Sequence, residues 1–295
     1  MMQNQPMKKT ILMKQAFLKK IVYGMFILLL GLPTVAVAKM LDNLSILVPS
    51  CDKYEEVWDP FFKLLFKYWP NLEQNIYLIS NHKIYPDKRV IPIMIGDEKS
   101  WSDNVLHALE KIPDDYVMII MDDYFFVSPV AEAKIIELFE IVQTEKAGYL
   151  QLREASKEQT VVAHPNLKDL GYFTKNSEYR NALQVAIWNK KTLKELLVSG
   201  ESPWEFEMQG SIRSSSIDKP FMCVLSNCPV SYFGAVEKGY WSPTAIEFLN
   251  KENIPVKITM PVSGKMRSFL RGPVRSFLSE NFVQPVRRLL KNVNT

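Results

Sequence analysis

Eleven consecutive residues, Tyr116–Phe126, constrain the fold of this chain more than any other segment. They read Y-V-M-I-I-M-D-D-Y-F-F, six apolar or aromatic residues that run directly into two aspartates. Such a short apolar run predicts a β-strand buried on both faces, as in the sheet of an α/β protein. In these sheets ligands bind beyond the carboxyl ends of the strands, so Asp122 and Asp123 stand where chemistry is expected.

The charge of this aspartate pair leaves two interpretations open. Two adjacent carboxylates repel each other unless a cation lies between them. Mg²⁺ or Mn²⁺ would supply that cation, and such an ion usually keeps coordination positions for substrate phosphates. On this interpretation Asp122 and Asp123 are metal ligands. The alternative is a strand that ends in a solvated acidic turn, because short motifs often carry no function.

The region from residue 44 to residue 144 predicts alternating strands and helices. Apolar runs predict strands over residues 44–48, 76–79, 90–95 and 116–121. Apolar stripes with helical spacing predict helices over residues 55–68, 102–112 and 131–144. We therefore expect an α/β, Rossmann-like fold with a mostly parallel sheet, flanking helices and right-handed crossovers.

Polar residues follow each predicted strand and suggest a nucleotide pocket. Ser50 and Asp52 follow the first strand, Asn81 the second and Asp97 the third. Because the carboxyl ends of parallel strands share one edge, we expect these side chains to line a common crevice. The sequence has neither G-x-G-x-x-G nor G-x-x-x-x-G-K, which disfavours a dinucleotide dehydrogenase and a P-loop enzyme.

A second group of candidate residues lies in the segment W-E-F-E, Trp204–Glu207. Alternating aromatic and acidic residues either share the faces of a short strand or open a helix. A glutamate that aromatic neighbours partly desolvate gains proton affinity and suits a general base. Glu207 is favoured over Glu205, because Phe206 and Met208 flank it with apolar surface. The alternative is a buried tryptophan between solvated glutamates.

Two further side chains are candidates for binding a nucleotide. Arg213, in G-S-I-R-S-S-S, has the planar guanidinium that grips a diphosphate with two hydrogen bonds. The alternative is a surface arginine in a polar loop. Trp101 either stacks on a nucleotide base or forms part of the core, as large aromatic residues usually do.

The charge of the chain is unevenly distributed. Residues 1–39 contain six Lys and no acidic residue, and residues 257–295 contain eight Lys or Arg and one Glu. The acidic remainder does not fit a nucleic-acid-binding protein, which carries positive charge on its folded face, so nucleic acid is not an expected partner. We expect a catalytic domain over residues 40–260 and a basic amphipathic tail over residues 261–295 that binds a membrane surface.

The N-terminal segment, residues 1–39, allows three interpretations. Lysines precede an apolar run over residues 21–38 that ends in Ala-Val-Ala, the pattern of a secretory signal peptide. The run is also nearly long enough for a membrane anchor. Translation from Met40 would remove the segment altogether. The three cysteines lack the spacing of a metal site, so we expect free thiols, which fit the cytoplasm.

Four motifs together resemble one enzyme family. They span residues 44–54, 100–109, 116–126 and 202–214, and they look like bacterial glycosyltransferases of the GT-A type from capsule and O-antigen synthesis. The resemblance implies a nucleotide-sugar donor, a divalent metal and an inverting transfer to a glycan or lipid-linked acceptor. The family's usual metal motif is Asp-any-Asp, whereas this chain has Asp122-Asp123-Tyr124.

The resemblance also bears on the alternatives and on location. A sugar-nucleotidyltransferase of similar fold is one alternative, although no Gly-rich basic loop follows the first strand. A non-catalytic, membrane-docked glycan-binding or assembly protein is another. Since bacterial nucleotide sugars are cytoplasmic, we expect the enzyme on the cytoplasmic face of the inner membrane, held by its tail. N-terminal anchoring is the alternative location.

Overall fold

A computed structural model describes residues 41–263 of the chain. The predictions for residues 1–39 and for the basic tail beyond residue 263 lie outside the described residues. All secondary structure described here belongs to one unit, Asn43–Thr295. The helices are α1 (Glu55–Tyr68), α2 (Trp101–Lys111), α3 (Glu132–Thr144), α4 (Lys190–Leu196), α5 (Pro203–Ser214) and α6 (Pro243–Lys251). The strands are β1 (Leu44–Val48), β2 (Ile76–Ser80), β3 (Val90–Met94), β4 (Tyr116–Ile119), β5 (Tyr124–Phe126), β6 (Tyr149–Gln151), β7 (Val161–Ala163), β8 (Leu170–Phe173), β9 (Ala186–Asn189), β10 (Phe221–Val224), β11 (Tyr232–Gly234), β12 (Val236–Glu237) and β13 (Tyr240–Trp241).

The main sheet has nine strands in the order β3-β2-β1-β4-β9-β6-β10-β8-β7. Only β8 and β9 run opposite to the other seven strands of this sheet. Every residue of β1 and β2 is buried, as expected for strands covered on both faces. The predicted α/β fold, a mostly parallel sheet flanked by helices, is confirmed.

The order of the first four strands creates a crevice beside β1. From β1 the chain adds β2 and β3 on one side, and the connection through α2 then places β4 on the other side of β1. Strands that leave a common neighbour in opposite directions open a gap between the loops at their carboxyl ends, where α/β proteins bind ligands. Here that gap lies between the residues after β1 and those after β4.

Helices α2, α4 and α5 cover one face of the sheet. The buried cluster on this face includes Leu47, Val105, Leu109, Ile119, Trp188, Leu193, Leu196, Phe206 and Phe221. Ser100 caps α2, because its hydroxyl accepts the N–H of Asp103 at 3.1 Å. The capped start of α2 fixes where Trp101 leaves the loop. This packing therefore sets the walls of the crevice.

The predicted strand over residues 116–121 ends earlier, at Ile119. The N–H of Tyr124 donates to the carbonyl of Met121 at 3.0 Å, which closes a tight turn across the aspartate pair. The chain then continues as β5, which pairs with β11 in a separate two-stranded sheet. Pairing with β11 therefore overrides the continuous apolar pattern. Among residues 41–263, no helix is long and apolar enough to cross a membrane.

Candidate active site

The aspartate pair lies in the turn that follows β4, at the gap beside β1. Asp122 is held by Ser50, whose hydroxyl donates to Oδ2 of Asp122 across the two strand ends. Trp58 Nε1 in turn donates to the Ser50 hydroxyl at 2.7 Å. The carbonyl of Asp123 accepts the N–H of Ala235 at 2.7 Å, which ties the turn to the segment after β11. The Asp122 carboxylate and the backbone of the turn at Asp123 are therefore held in position by the protein.

Burial makes the charge of this pair costly. The side chain of Asp122 is buried, and that burial raises its pKa to about 7, although the hydrogen bond from Ser50 opposes the rise. Burial also raises the pKa of Asp123 well above its usual value, and repulsion from Asp122 adds to the effect. Two adjacent carboxylates that resist ionisation in this way favour a bound cation, which would restore both charges.

The aspartate pair forms one wall of a cavity of about 390 Å³, which we call the Asp-pair cavity. Five of the predicted site residues line it, namely Ser50, Trp101, Asp122, Asp123 and Glu207. The cavity is also lined by Trp204 and by the turn of the β12–β13 hairpin, where Lys238 and Gly239 have positive φ angles of 52° and 78°. The hairpin turn therefore places Lys238 at the wall of the cavity.

The segment Trp204–Glu207 opens helix α5, which decides between its two glutamates. Glu205 accepts the N–H and hydroxyl of Ser202 at 2.8 and 2.7 Å in a capping box, and these bonds lower its pKa. Glu207 accepts the N–H of Leu183 at 2.6 Å and lines the Asp-pair cavity. Glu205 is thus exposed and occupied in the helix cap, which does not support a role as general base. Glu207 stays the candidate for that role.

Trp101 lines the cavity as the first residue of α2. Its ring packs against Phe206, with centroids 5.3 Å apart, so the side chain also contributes to the core. Its Nε1 is buried and finds no acceptor among the residues that the structure describes. A buried donor without an acceptor is costly in a protein. Trp101 therefore contributes both to the core and to the wall of the cavity.

Asp52 and Asn81 meet, but away from the Asp-pair cavity. The carboxylate of Asp52 accepts the backbone N–H groups of residues 81 to 83 at 2.9 to 3.2 Å. Asn81 accepts the N–H of Asp52 at 2.9 Å and donates to the carbonyl of Gly96 at 3.0 Å. These bonds join three strand ends, and neither residue lines the cavity. Their predicted role in nucleotide binding is not supported by this arrangement, and neither is that of exposed Asp97.

The prediction that Arg213 grips a diphosphate is not supported either. Its guanidinium forms a bidentate salt bridge with Glu201, with both N–O distances 2.7 Å. The same group donates from Nε and Nη2 to the carbonyl of Leu196 at 3.1 and 2.7 Å. Arg213 is therefore occupied in fastening α5 to the end of α4.

A second, polar pocket was not predicted from the sequence. It has a volume of about 790 Å³ and shares Glu207 and Trp204 with the Asp-pair cavity. The rest of this polar pocket is rich in amides and charged groups, including Gln151, Arg153, Glu154, Lys157, Gln159 and Gln184. These residues come from the end of β6, the loop that follows it and the segment before β9, which carry no sequence motif.

A network of hydrogen bonds joins the polar pocket to the turn of the aspartate pair. Gln184 accepts from Arg153 Nη1 at 2.9 Å and from the Tyr232 hydroxyl at 3.0 Å. Gln184 Nε2 donates to the Tyr124 hydroxyl at 3.3 Å, and the rings of Tyr124 and Tyr232 stack at 4.7 Å. Burial raises the pKa of Tyr124 well above its usual value, so the phenol stays protonated. The Asp-pair cavity and the polar pocket therefore share one rigid wall.

The chemistry of the aspartate pair fits Mg²⁺ or Mn²⁺. Both ions prefer carboxylate oxygens and leave positions for phosphate and water. Within residues 41–263, no group of three or more His, Cys, Asp or Glu side chains could hold a metal ion. Two carboxylates alone make a weak site, so the remaining ligands would have to come from a bound substrate and from water.

Part of this chain resembles several solved structures in its fold. No protein-family model and no curated protein matches the chain. Residues 1–349 of S. aureus TarS in complex with UDP-GlcNAc superpose on this chain with a TM-score of 0.43 and 12% identity, over 73% of this chain and 67% of that one. A CMP-2-keto-3-deoxy-manno-octonic acid synthetase with CTP has a TM-score of 0.41 and 12% identity, over 71% and 98%.

A UDP-glucose pyrophosphorylase with UDP-glucose has a TM-score of 0.39 and 8% identity, over 64% of this chain and 92% of that one. This chain covers 62% of the length of the protein in another structure of TarS residues 1–349. With TM-scores this low, the function of the chain has to be argued from its own residues.

Proposed function

We propose that the chain is a glycosyltransferase that depends on a nucleotide sugar and on Mg²⁺ or Mn²⁺. The observation that carries the proposal is the aspartate pair, in which Asp122 is buried and held by Ser50, and which shares a cavity with Glu207. A nucleotide-sugar diphosphate with its divalent ion supplies the positive charge that the pair needs and fills the missing ligand positions. The acceptor is a glycan or lipid-linked sugar of a surface polysaccharide.

Asp122 and Asp123 would hold the ion, whose charge offsets the negative charge that develops on the leaving diphosphate. In an inverting transfer, an acceptor hydroxyl oxygen bonds to the anomeric carbon while the bond from that carbon to the diphosphate oxygen breaks. The bonding electron pair leaves with the diphosphate. The hydroxyl proton passes to Glu207, whose carboxylate the N–H of Leu183 holds in place at 2.6 Å.

Other residues of the cavity suit the two substrates. Trp101 offers an aromatic wall, and the positive charge of Lys238 complements a diphosphate. Trp204, which is 59% exposed at the junction with the polar pocket, offers an indole face for a sugar ring. Tyr124 and Gln184 hold the wall between the two substrates rigid.

The proposal is tested by a screen of nucleotide sugars against the purified protein with Mn²⁺. We expect one of them to raise the melting temperature, because a ligand that binds only the folded state at 100 times its Kd adds about 2.7 kcal/mol of stability. The same compound should release nucleoside diphosphate in the presence of an acceptor, and a chelator should abolish the release.

Two results would count against the proposal. Full turnover in excess chelator would show that the reaction needs no metal ion. Pyrophosphate release from a nucleoside triphosphate and a sugar 1-phosphate, without transfer from any nucleotide sugar, would replace the transferase by a nucleotidyltransferase. Asp122→Asn serves as the control, because it should lose the nucleotide-sugar stabilisation along with turnover.

A further inference from the structure

Helix α5 carries three large apolar side chains on its exposed side. Trp204, Met208 and Ile212 are four residues apart, so they form one stripe along the helix. They are 59%, 55% and 67% exposed, respectively. On the buried side, Phe206 is followed by Gly210 and Ser214, which are small. An ordinary surface helix has the opposite arrangement, so this stripe indicates a ligand or partner.

Close packing on the buried side of α5 keeps the apolar stripe on the exposed side. A Cβ atom at Gly210 would lie 2.4 Å from Asn181 Nδ2, so only glycine allows this approach. Asn181 Nδ2 donates to the carbonyl of Phe206 at 3.1 Å, and the Ser211 hydroxyl donates to Asn181 Oδ1. Rotating α5 to bury Met208 and Ile212 would break these bonds. The exposed stripe is therefore a fixed feature of the fold.

The stripe forms one side of an apolar groove. Met208 and Ile212 line a groove of about 510 Å³ together with Tyr179, and the surface of this groove is mostly apolar. Tyr179 has a positive φ of 48°, a conformation that costs a residue with a side chain about 1–3 kcal/mol. Its carbonyl accepts from Gln159 Nε2 at 2.7 Å and from the N–H of Ala182 at 3.1 Å. These hydrogen bonds therefore hold the strained backbone of Tyr179 in place at the groove.

The groove continues into the proposed catalytic region. Tyr179 lines both the apolar groove and the polar pocket. The polar pocket in turn shares Trp204 and Glu207 with the Asp-pair cavity. A molecule that presents a hydroxyl to Glu207 therefore has amide-rich surface next to its reacting end and apolar surface beyond.

Building on the proposed function, we propose that the acceptor is amphipathic: a sugar whose hydrocarbon aglycone lies in the apolar groove. Three stripe residues cannot supply the roughly 800 Å² per partner of a stable protein interface. A bilayer is a poor occupant, because Lys175 and Glu178 of the groove have opposite charges and leave no net positive charge to attract anionic lipid. A single alkyl or isoprenoid chain attached to the acceptor sugar fits both the size and the charge.

The test measures the binding of hexyl, octyl and decyl β-glucosides to the full chain by calorimetry, below their micelle concentrations and without donor. We expect affinity to rise about twofold per methylene, since an open groove buries about half of the chain. Met208→Gln and Ile212→Gln should each flatten this rise. Val198→Gln is the matched control, because Val198 is 43% exposed but lies outside the groove, and it should keep the rise.

Equal affinity for the three glucosides would overturn the proposal, as would a chain-length effect that survives both groove substitutions. Loss of binding to phosphatidylglycerol vesicles in Ile212→Gln, without any chain-length effect, would replace the acceptor by a membrane. The nucleotide-sugar melting shift is measured on the same samples. A groove-dependent chain-length effect in a protein that binds no nucleotide sugar would leave the apolar-chain site standing and overturn the transferase.

Discussion

Two clusters of carboxylates at the same edge of the sheet differ in how their charge is satisfied. Asp52, after β1, accepts three consecutive backbone N–H groups in a cluster that ties the first three strand ends together. Asp122, after β4, accepts the Ser50 hydroxyl, but burial raises the pKa values of the Asp122 and Asp123 carboxyl groups, and repulsion from Asp122 raises that of Asp123 further. Both sets were equal candidates in the sequence, yet one is satisfied by the protein and the other calls for a cation.

This difference separates structural from functional acids. A carboxylate whose lone pairs accept backbone N–H groups gains stability by staying charged, and it has little capacity left for a ligand. A buried pair of carboxylates costs stability until a ligand brings positive charge. Asp52 is thus expected to contribute to folding, and the aspartate pair to binding and turnover.

The largest effect is expected from neutralising the aspartate pair. Asp122→Asn and Asp123→Asn should each lower turnover about 10³-fold, as loss of electrostatic stabilisation at a reacting group does. Stability without metal should stay equal or rise, because a buried repulsion is removed. Steady-state rates and urea denaturation measure the two effects. A variant that lost stability but kept its turnover would break the contrast with Asp52.

A smaller loss is expected from Glu207→Gln, which keeps the side-chain size but removes the proton acceptor. Turnover should fall about 10²-fold with the nucleotide-sugar Kd unchanged. Glu205→Gln is the matched control two residues away, and it should keep turnover while losing at most about 1 kcal/mol from the capping box. If Glu205→Gln were the inactive variant, the assignment of the two glutamates would have to be exchanged.

Asp52→Ala should act on stability instead. Removing the carboxylate leaves three backbone N–H groups without their acceptor, which should cost about 2 kcal/mol of unfolding free energy in urea. The folded variant should still show the nucleotide-sugar melting shift. Loss of that shift at unchanged stability would place Asp52 in the binding site after all.

A further expected effect is a pH dependence of stability in metal-free protein. Burial raises the pKa of Asp122 to about 7, above the value of about 3.9 in an unfolded chain. The folded state therefore binds this proton more tightly, and the associated stability is complete below pH 4 and is lost as the pH rises through 7. The slope should be at most about 1.4 kcal/mol per pH unit, and Asp122→Asn should flatten it while Asp52→Ala should not.

Strong local patterns predicted much of the first half of the fold. The helix over residues 55–68 was predicted with its observed bounds, and the strand over residues 44–48 likewise. Both have an unbroken apolar pattern at one period. The pattern failed at residues 120 and 121, which were predicted as strand but precede a turn into β5, and β5 pairs with β11 more than 100 residues away. Long-range pairing of this kind leaves no local signal.

The candidate site was likewise predictable only in part from the sequence. The sequence by itself determined that an aspartate pair follows a buried strand, since a short apolar run that meets two acids has few other solutions. Tertiary structure decided what each polar residue does. Glu205 accepts the N–H of Ser202 in a helix cap, and Arg213 forms a salt bridge with Glu201. It also decided that Glu207 shares a cavity with the pair and that α5 turns its apolar stripe outwards. These outcomes depend on which hydrogen-bond partners the fold brings near, and residues far apart in the chain supply those partners.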